Sequence, residues 1–497
     1  MHKNHSYLFI PLILSICARI FYLLLDIHDF WGDSYHNWLI SSMTLDNNWV
    51  YTDYKGRELV WLPFYRYLVA GVMYVFPNMD GFQLAAYLNT AISIFTVGFL
   101  TYKIAQIRNT EIAMRAGIVI ALLPWYVAYS TMNIPAIFAG LLLLVVVLQV
   151  MDGKWYWIAV LTMIAVLTRY EMTYLLMVVG VYTLWVRDWK NSVALLVGAV
   201  VGLSMWSFWS YVNTGNILYW VSAKSDGLSW DAFFQTVIRG DGRTIFEPFL
   251  SIIQVLPILI VLVIPRWIDQ SYRTSKRYNV VHFLPLTLVL FQLVFLSFGQ
   301  YFYFSGANPR YFIILIPIGV YAVFSLIRDD FFKKKTVTVI SISFGLLLLI
   351  GQFGSFYYIG ETWEKFAKTG EFIKNLESTN NYWIDEPAII YHSTIPLSQV
   401  YSSDQLVQDE WNKKDEIRDN IISEGIQYII SFDASYSKTL WIWPEMKEDD
   451  IFVWEKIKFE PVYRYSTKYQ EVNNIHESLM QYVQSKFGPV TVWKVTP

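Results

Sequence analysis

The chain has 497 residues, 55% hydrophobic and only 16% charged, with 21 Trp, 35 Tyr and 33 Phe, an aromatic load that suits membrane interfaces better than a soluble core. Its net charge of −2 is split: residues 1–360 hold 24 Lys+Arg against 18 Asp+Glu, and residues 361–497 hold 14 against 22. This excludes a cytosolic enzyme, a disordered chain and a polybasic nucleic-acid binder. It predicts a membrane domain over 1–360 and a soluble domain over 361–497.

A bilayer core takes about 20 apolar residues per helix. Such runs lie near residues 6–25, 83–104, 112–130, 133–151, 155–169, 171–187, 191–213, 247–265, 281–298, 310–327 and 336–358, which predicts eleven spans. No small-residue cleavage site follows the first, which is read as an anchor. The segment Leu59–Phe76, flanked or interrupted by Arg57, Glu58, Pro63 and Arg66, is expected to be an interfacial helix pair on the membrane surface. Eleven spans with the N-terminus inside put Lys103, Arg108, Arg115, Lys154, Arg187, Lys190, Arg266, Arg328 and the run Lys333 to Lys335 on one side, as the positive-inside rule requires. The C-terminal domain then lies outside, extracytoplasmic. It reads as a small α/β domain, with strands at Ala388–Tyr391 and Tyr428–Phe432 and a helix over Asp409–Ser423.

The single cysteine, Cys17, sits in the first apolar run, so no internal disulfide can form. The one Asn-x-Ser/Thr sequon starts at Asn4, which fits a prokaryotic plasma membrane better than a secretory-pathway one. No Gly-rich phosphate loop, Cys/His metal cluster or internal repeat is visible, and neither cofactor nor metal is expected.

Four clusters in the expected outer loops carry chemistry. In Phe30-Trp-Gly-Asp33-Ser-Tyr35-His36-Asn-Trp38 a carboxylate stands among interfacial aromatics, where half-desolvation favours a group able to take a proton. The other reading is a solvated Asp33 capping a helix that begins near Ser34. In Arg57-Glu58-Leu-Val-Trp-Leu-Pro63-Phe-Tyr65-Arg66 the arginines either meet the phosphate of a bound lipid or anchor on headgroups. Arg169 and Glu171, two apart at a tight helical hairpin, form either a structural ion pair or a functional site. Asn308-Pro-Arg310-Tyr311 opens the tenth span, where Arg310 binds an anion or snorkels to lipid. Arg19, two turns inside the first span, needs a partner and is expected to have a packing role, with Asp26 or Glu171 as candidate partners.

The order Arg19, then Trp31-Gly-Asp33-Ser34-Tyr35, then Leu62-Pro63-Phe64-Tyr65, resembles the opening of the protein O-mannosyltransferase and aminoarabinose-transferase superfamily. These are C-type membrane glycosyltransferases that use polyprenyl-phosphate sugars. Asn308-Pro-Arg310-Tyr-Phe with Pro317 is similar to an element that opens a late helix in that superfamily. Its Asp-Glu-Ala-like motif has Ser34 at the second acidic position here, and Leu62 replaces the first residue of its Pro-Pro pair. The resemblance implies transfer of a sugar from a polyprenyl-phosphate donor to an outer-face acceptor, with inversion. Asp33 would be the base and Arg310, with Arg57 or Arg66, the phosphate's counter-charge. Tyr35, His36, Glu58, Tyr65, Arg169, Glu171 and Tyr311 would support them or meet the acceptor. An oligosaccharyltransferase or glycan ligase, and a polyprenyl-lipid flippase, are the alternative expectations.

Overall fold

The computed structural model describes residues 6–25, 32–54, 61–218, 252, 255–256, 278–301, 310–327, 352, 356, 360, 363–376, 379–403, 414–432, 438–447, 450–466 and 488–496. Two units make up the chain. One comprises Met1–Leu25, Leu59–Val72 and Gln83–Phe353, and the other Asp26–Glu58, Met73–Phe82 and Gly354–Pro497.

In chain order the helices are α1 (Phe9–Leu24), α2 (Gly32–Asp46), α3 (Phe64–Val75), α4 (Gly81–Ile107), α5 (Thr110–Leu122), α6 (Pro124–Ser130), α7 (Ala136–Asp152), α8 (Trp155–Val166), α9 (Tyr170–Trp185) and α10 (Trp189–Thr214). Helices Tyr278–Tyr301, Arg310–Ile313 and Ile316–Leu326 follow. Among the described residues, helices stand at nine of the eleven expected spans. The spans at 247–265 and 336–358 lie outside the described residues apart from isolated positions. By length and composition, Ser6–Leu24, Gly81–Ile107 and Trp189–Thr214 are each able to cross a membrane, and α5 with α6, bent by 60°, is apolar enough for a broken span or a re-entrant loop. The bend falls at Leu123, which leaves the helix with ψ 115° because the Pro124 ring disfavours helical backbone before it.

The helical unit packs through small residues. A Cβ on Gly198 of α10 would stand 2.2 Å from the Ala159 carbonyl oxygen of α8, and one on Gly202 would stand 2.6 Å from Val166 Cγ2. A Gly-x-x-x-Gly face brings the two backbones together where lipid offers no hydrophobic drive for helix association. At one end of the bundle Lys103 pairs with Asp152 at 3.0 Å, and Arg108 donates to the Ser325 and Ile327 carbonyls at 3.1 and 2.7 Å. A guanidinium thus satisfies the open carbonyls at the C-terminus of Ile316–Leu326. At the opposite end Asn89 Nδ2 donates to the Met132 and Ile134 carbonyls at 2.6 and 2.9 Å, fixing the turn between α6 and α7.

Two sequence expectations change here. Over its described part, Leu59–Phe76 is a single helix, α3, and Tyr65, Arg66, Val69 and Ala70 are buried by neighbouring helices. Arg19 is buried and, among the described residues, meets no carboxylate: Glu171 is held by Arg169, and Asp26 lies outside the described residues. Its Nε donates to Ser93 Oγ at 2.6 Å, its Nη1 to the Ser15 and Ala121 carbonyls at 3.0 and 3.2 Å, and its guanidinium lies 5.6 Å from the Tyr126 ring centre. Neutral dipoles and an aromatic face are the partners that the described residues supply.

The second unit carries a six-stranded mixed sheet ordered β2-β1-β3-β6-β5-β4, with β1 Asn381–Trp383, β2 Val400–Tyr401, β3 Ile426–Phe432, β4 Phe452–Trp454, β5 Ile457–Tyr465 and β6 Val490–Thr496. Strands β2, β1 and β3 run parallel, and the pairs from β3 onward are antiparallel. Trp383, Trp443 and Trp493 are fully buried, and Lys414–Ser423 covers this core with Ile417 and Ile421. The expected strand at Tyr428–Phe432 lies within β3. The expected strand at Ala388–Tyr391 is instead a helix, Pro387–Ser393. Four apolar residues suit either element, and the flanks decide: Glu386 caps the start through the Ala388 N–H, and Pro387 occupies the first turn.

Candidate functional site

In the sheet-bearing unit, α2 presents the first loop's chemistry. Asp33 is half-buried in the first helical turn, so it lies inside the helix and not at the cap position near Ser34. A carboxylate there is favoured by the helix N-terminal dipole. One turn on, His36 is buried and its Nε2 pairs with Asp53 Oδ1 at 2.7 Å, tying α2 to the end of the loop. Tyr35 packs away from that pair into an aromatic cluster, stacked on Phe82 with ring centres 4.6 Å apart and lying 5.6 Å from the Tyr391 ring. Tyr35 is therefore core, and His36 has a fixed partner.

The same loop rests on the carboxyl end of β1. β2 and β3 flank β1 on opposite sides, so the strand order reverses at this point, where open α/β sheets place their ligands. Here the place is taken by the chain itself. Tyr54 donates to the Asp385 carbonyl at 3.1 Å. The Asp385 carboxylate accepts from the Ser403 N–H at 2.7 Å and from Thr439 Oγ1 at 2.9 Å. Burial first, and then the carboxylates of Asp385, Asp53 and Glu386, hold the Tyr54 phenol well above its ordinary pKa. Glu386 is buried, and its Oε1 lies 3.2 Å from where a Cβ of Gly32 would stand.

In the helical unit, a second cluster forms at the end of the bundle that carries Asn89. The Phe64 N–H donates to the Leu167 carbonyl at 3.1 Å, and the Tyr65 hydroxyl donates to Asn133 Oδ1 at 3.1 Å. Arg66 is buried, donates to the Leu62 carbonyl and lies 5.0 Å from the Trp61 ring centre. A headgroup anchor would be exposed, so Arg66 does not fill that role. Arg169 grips Glu171 with both arms of its fork, Nε to Oε2 at 3.0 Å and Nη2 to Oε1. Their side chains are only 15% and 11% exposed, which gives the hairpin its ion pair. Tyr170 lies within electrostatic reach of both Arg66 and Glu171. Gln292 Nε2 donates to the Tyr311 carbonyl at 3.3 Å. The backbone of Arg310 opens a helix of four residues, Arg310–Ile313, broken before Pro317. One turn carries little dipole, so attraction for an anion rests on guanidinium charge. Among the described residues of this cluster, Arg66 is buried, and the half-buried Arg169 is paired with Glu171.

Arg57 and Glu58 lie outside the described residues. No group of three or more His, Cys, Asp or Glu side chains arranged for a metal occurs among the described residues. Sequence reasoning passed over Asp53, Tyr54, Glu386, Asn133, Tyr174 and Gln292. Asp53-Tyr54 sits in a polar loop without a motif, Gln292 is one amide in an apolar run, and Glu386 is some 350 residues from its neighbour Gly32. Only the turn signal Asp385-Glu386-Pro387, which marks a helix start, was open to reading.

No protein-family model and no curated protein sequence matches the chain. Among solved structures, the fold is similar to ArnT from Cupriavidus metallidurans bound to undecaprenyl phosphate, with a TM-score of 0.57 at 12% identity over 98% of this chain and 97% of that one. The apo state of the same protein gives 0.57 at 14% identity over 90% and 95%. The apo oligosaccharyltransferase from Archaeoglobus fulgidus gives 0.49 at 12% identity over 86% and 69%. The match to ArnT runs the length of both chains, so this chain has the C-type glycosyltransferase fold, a multi-pass helical membrane part with a C-terminal sheet domain.

Proposed function

We propose that the protein is a membrane glycosyltransferase that moves a single sugar from a polyprenyl-phosphate carrier to an acceptor on the outer face of a prokaryotic plasma membrane. The observation that carries this reading is the end-to-end likeness to ArnT, a protein seen with undecaprenyl phosphate bound. The buried Arg66 of the helical unit fits this reading, because a polyprenyl phosphate is an anion presented from lipid. Residues 1–360 would form the transferase domain, and 361–497 an extracytoplasmic domain.

In the reaction the acceptor hydroxyl oxygen bonds to the anomeric carbon from the side opposite the phosphate. The bond between that carbon and the phosphate oxygen breaks, and its electron pair leaves on polyprenyl phosphate. The acceptor's proton passes to Asp33, and the configuration inverts. Arg310, with Arg57 or Arg66, would stabilise the charge gathering on the leaving phosphate. Tyr65, held by Asn133, and Tyr311, held by Gln292, would shape the surroundings of those arginines.

Purified protein incubated with a radiolabelled sugar on undecaprenyl phosphate and with membrane extract should transfer label. Asp33→Asn, which keeps size and polarity, should lose roughly 10²–10⁴-fold in rate, the usual worth of a positioned base, while still binding donor. Acceptance of a lipid-linked oligosaccharide alone would make it an oligosaccharyltransferase. Lipid translocation without transfer would make it a flippase. Wild-type rates in Asp33→Asn would remove Asp33 as the base.

A further inference from the structure

We propose that Glu386, contributed by the sheet domain, is a positioning residue that holds the first turn of α2 and with it Asp33. The inference rests on the reading of Asp33 as the base.

Gly32, the residue before Asp33, is wedged between two side chains that arrive from far along the chain. A Cβ at Gly32 would stand 3.2 Å from Glu386 Oε1 and 3.5 Å from Trp363 Cη2. A side chain at Gly32 would press on this carboxylate, which would have to give by a few tenths of an ångström. Glu386 is buried, at 5% exposure, and such a carboxylate must be held by donors or by oriented dipoles. The same Oε1 accepts from the Ala388 N–H at 3.4 Å, so the carboxylate sits at the N-terminus of Pro387–Ser393 while facing the N-terminus of α2. Both helix ends favour an anion there, and one charged group serves two helices.

A second set of contacts closes a ring on the same turn. His36 of α2 pairs with Asp53, and the next residue, Tyr54, donates to the carbonyl of Asp385, the neighbour of Glu386. Starting at Gly32, the ring runs through α2 to His36, across to Asp53 and Tyr54, across to Asp385, and along the chain to Glu386, which returns to Gly32. Its three crossings are the ion pair, the phenol bond and the Glu386–Gly32 approach. The first ties α2 to the end of its own loop, the second ties that loop end to the sheet domain, and the third fixes where α2 begins. Misplacement of a reacting group by about 1 Å costs on the order of 100-fold in rate, so a clamp on the turn that carries Asp33 is visible in turnover.

The test uses the full chain in detergent, with transfer from a polyprenyl-phosphate sugar as the assay and thermal melting as the fold control. Glu386→Gln should lower kcat about 10- to 100-fold at an unchanged donor KM, because the phosphate is held by other residues. Glu386→Asp, which keeps the charge on a shorter arm, should recover part of that loss. Gly32→Ala drives a methyl toward Glu386 Oε1, so it should lower kcat in the wild-type background and much less beside Glu386→Gln. Should Glu386→Gln fail to fold, Gly32→Ala carries the test by itself. Wild-type kcat in Glu386→Gln, or in Gly32→Ala, overturns the inference, as does a loss confined to melting temperature or to donor KM. With Asp33→Asn inactive, such a result leaves Asp33 as the base. Absence of transfer by the wild-type chain instead overturns the glycosyltransferase reading, and this inference with it.

Discussion

Glu171→Gln separates the two roles that the pairing of Arg169 and Glu171 allows. The substitution keeps the volume and one acceptor oxygen but removes the charge that the guanidinium grips. Two charge-assisted hydrogen bonds join these side chains, and their exposures of 15% and 11% leave little water to replace a lost partner. Removing one member of a buried pair costs about 3–5 kcal/mol, because the other charge is left uncompensated. The glutamine oxygen still accepts one bond, worth about 1 kcal/mol, so the expected loss is about 2–4 kcal/mol. At about 2 °C per kcal/mol for a large unit, the melting midpoint should fall by roughly 4–8 °C. Arg169→Ala should cost a similar amount. The double variant should lose much less than the sum of the two, a coupling of about 2 kcal/mol or more in a double-mutant cycle on detergent-solubilised protein. Transfer per folded molecule should stay within a few-fold of wild type. A Glu171→Gln protein with an unchanged midpoint and abolished transfer would refute the structural role and make Glu171 a reacting group.

Arg310→Ala should raise the donor KM and lower kcat in the transfer assay, and Arg310→Lys should restore only part, since a point charge lacks the planar fork. Gly198→Val should unfold or rearrange the α8–α10 contact, because its Cβ would start 2.2 Å from a backbone oxygen. Overpacking of this kind costs about 1–3 kcal/mol or more, readable as a lower midpoint. The Tyr54 phenol, raised in the folded chain, contributes stability that is fully present below its unfolded value of about 10 and is lost as pH rises through its higher folded value. Alkaline unfolding followed by tryptophan fluorescence should therefore show a shallower loss of stability above pH 10 in Tyr54→Phe, and an unchanged slope would remove Tyr54 from that transition.

What the sequence determined by itself is whatever depends on local periodicity and composition. Helices lie where the apolar runs of 83–104 and 191–213 require them, because a chain in hydrocarbon must satisfy its backbone within each segment. The strand at Tyr428–Phe432 follows from its β-branched and aromatic residues, and the pairing of Arg169 with Glu171 is a matter of two positions at one hairpin. Tertiary structure decided everything that turns on which neighbours arrive. Leu59–Phe76 has the composition of a surface helix, yet neighbouring helices bury Arg66 within the bundle, beside the Trp61 ring and the Leu62 carbonyl. Ala388–Tyr391 has the residues of a strand, yet the Glu386 cap and Pro387 start a helix there. Arg19 announced a need for a partner, but only the packing of α4 and α5 supplied Ser93 and the Ala121 carbonyl. The approach of Glu386 to Gly32 joins residues some 350 apart. Propensity and periodicity act over a few turns, whereas burial and charge pairing depend on chain closure across hundreds of residues, which no local pattern encodes.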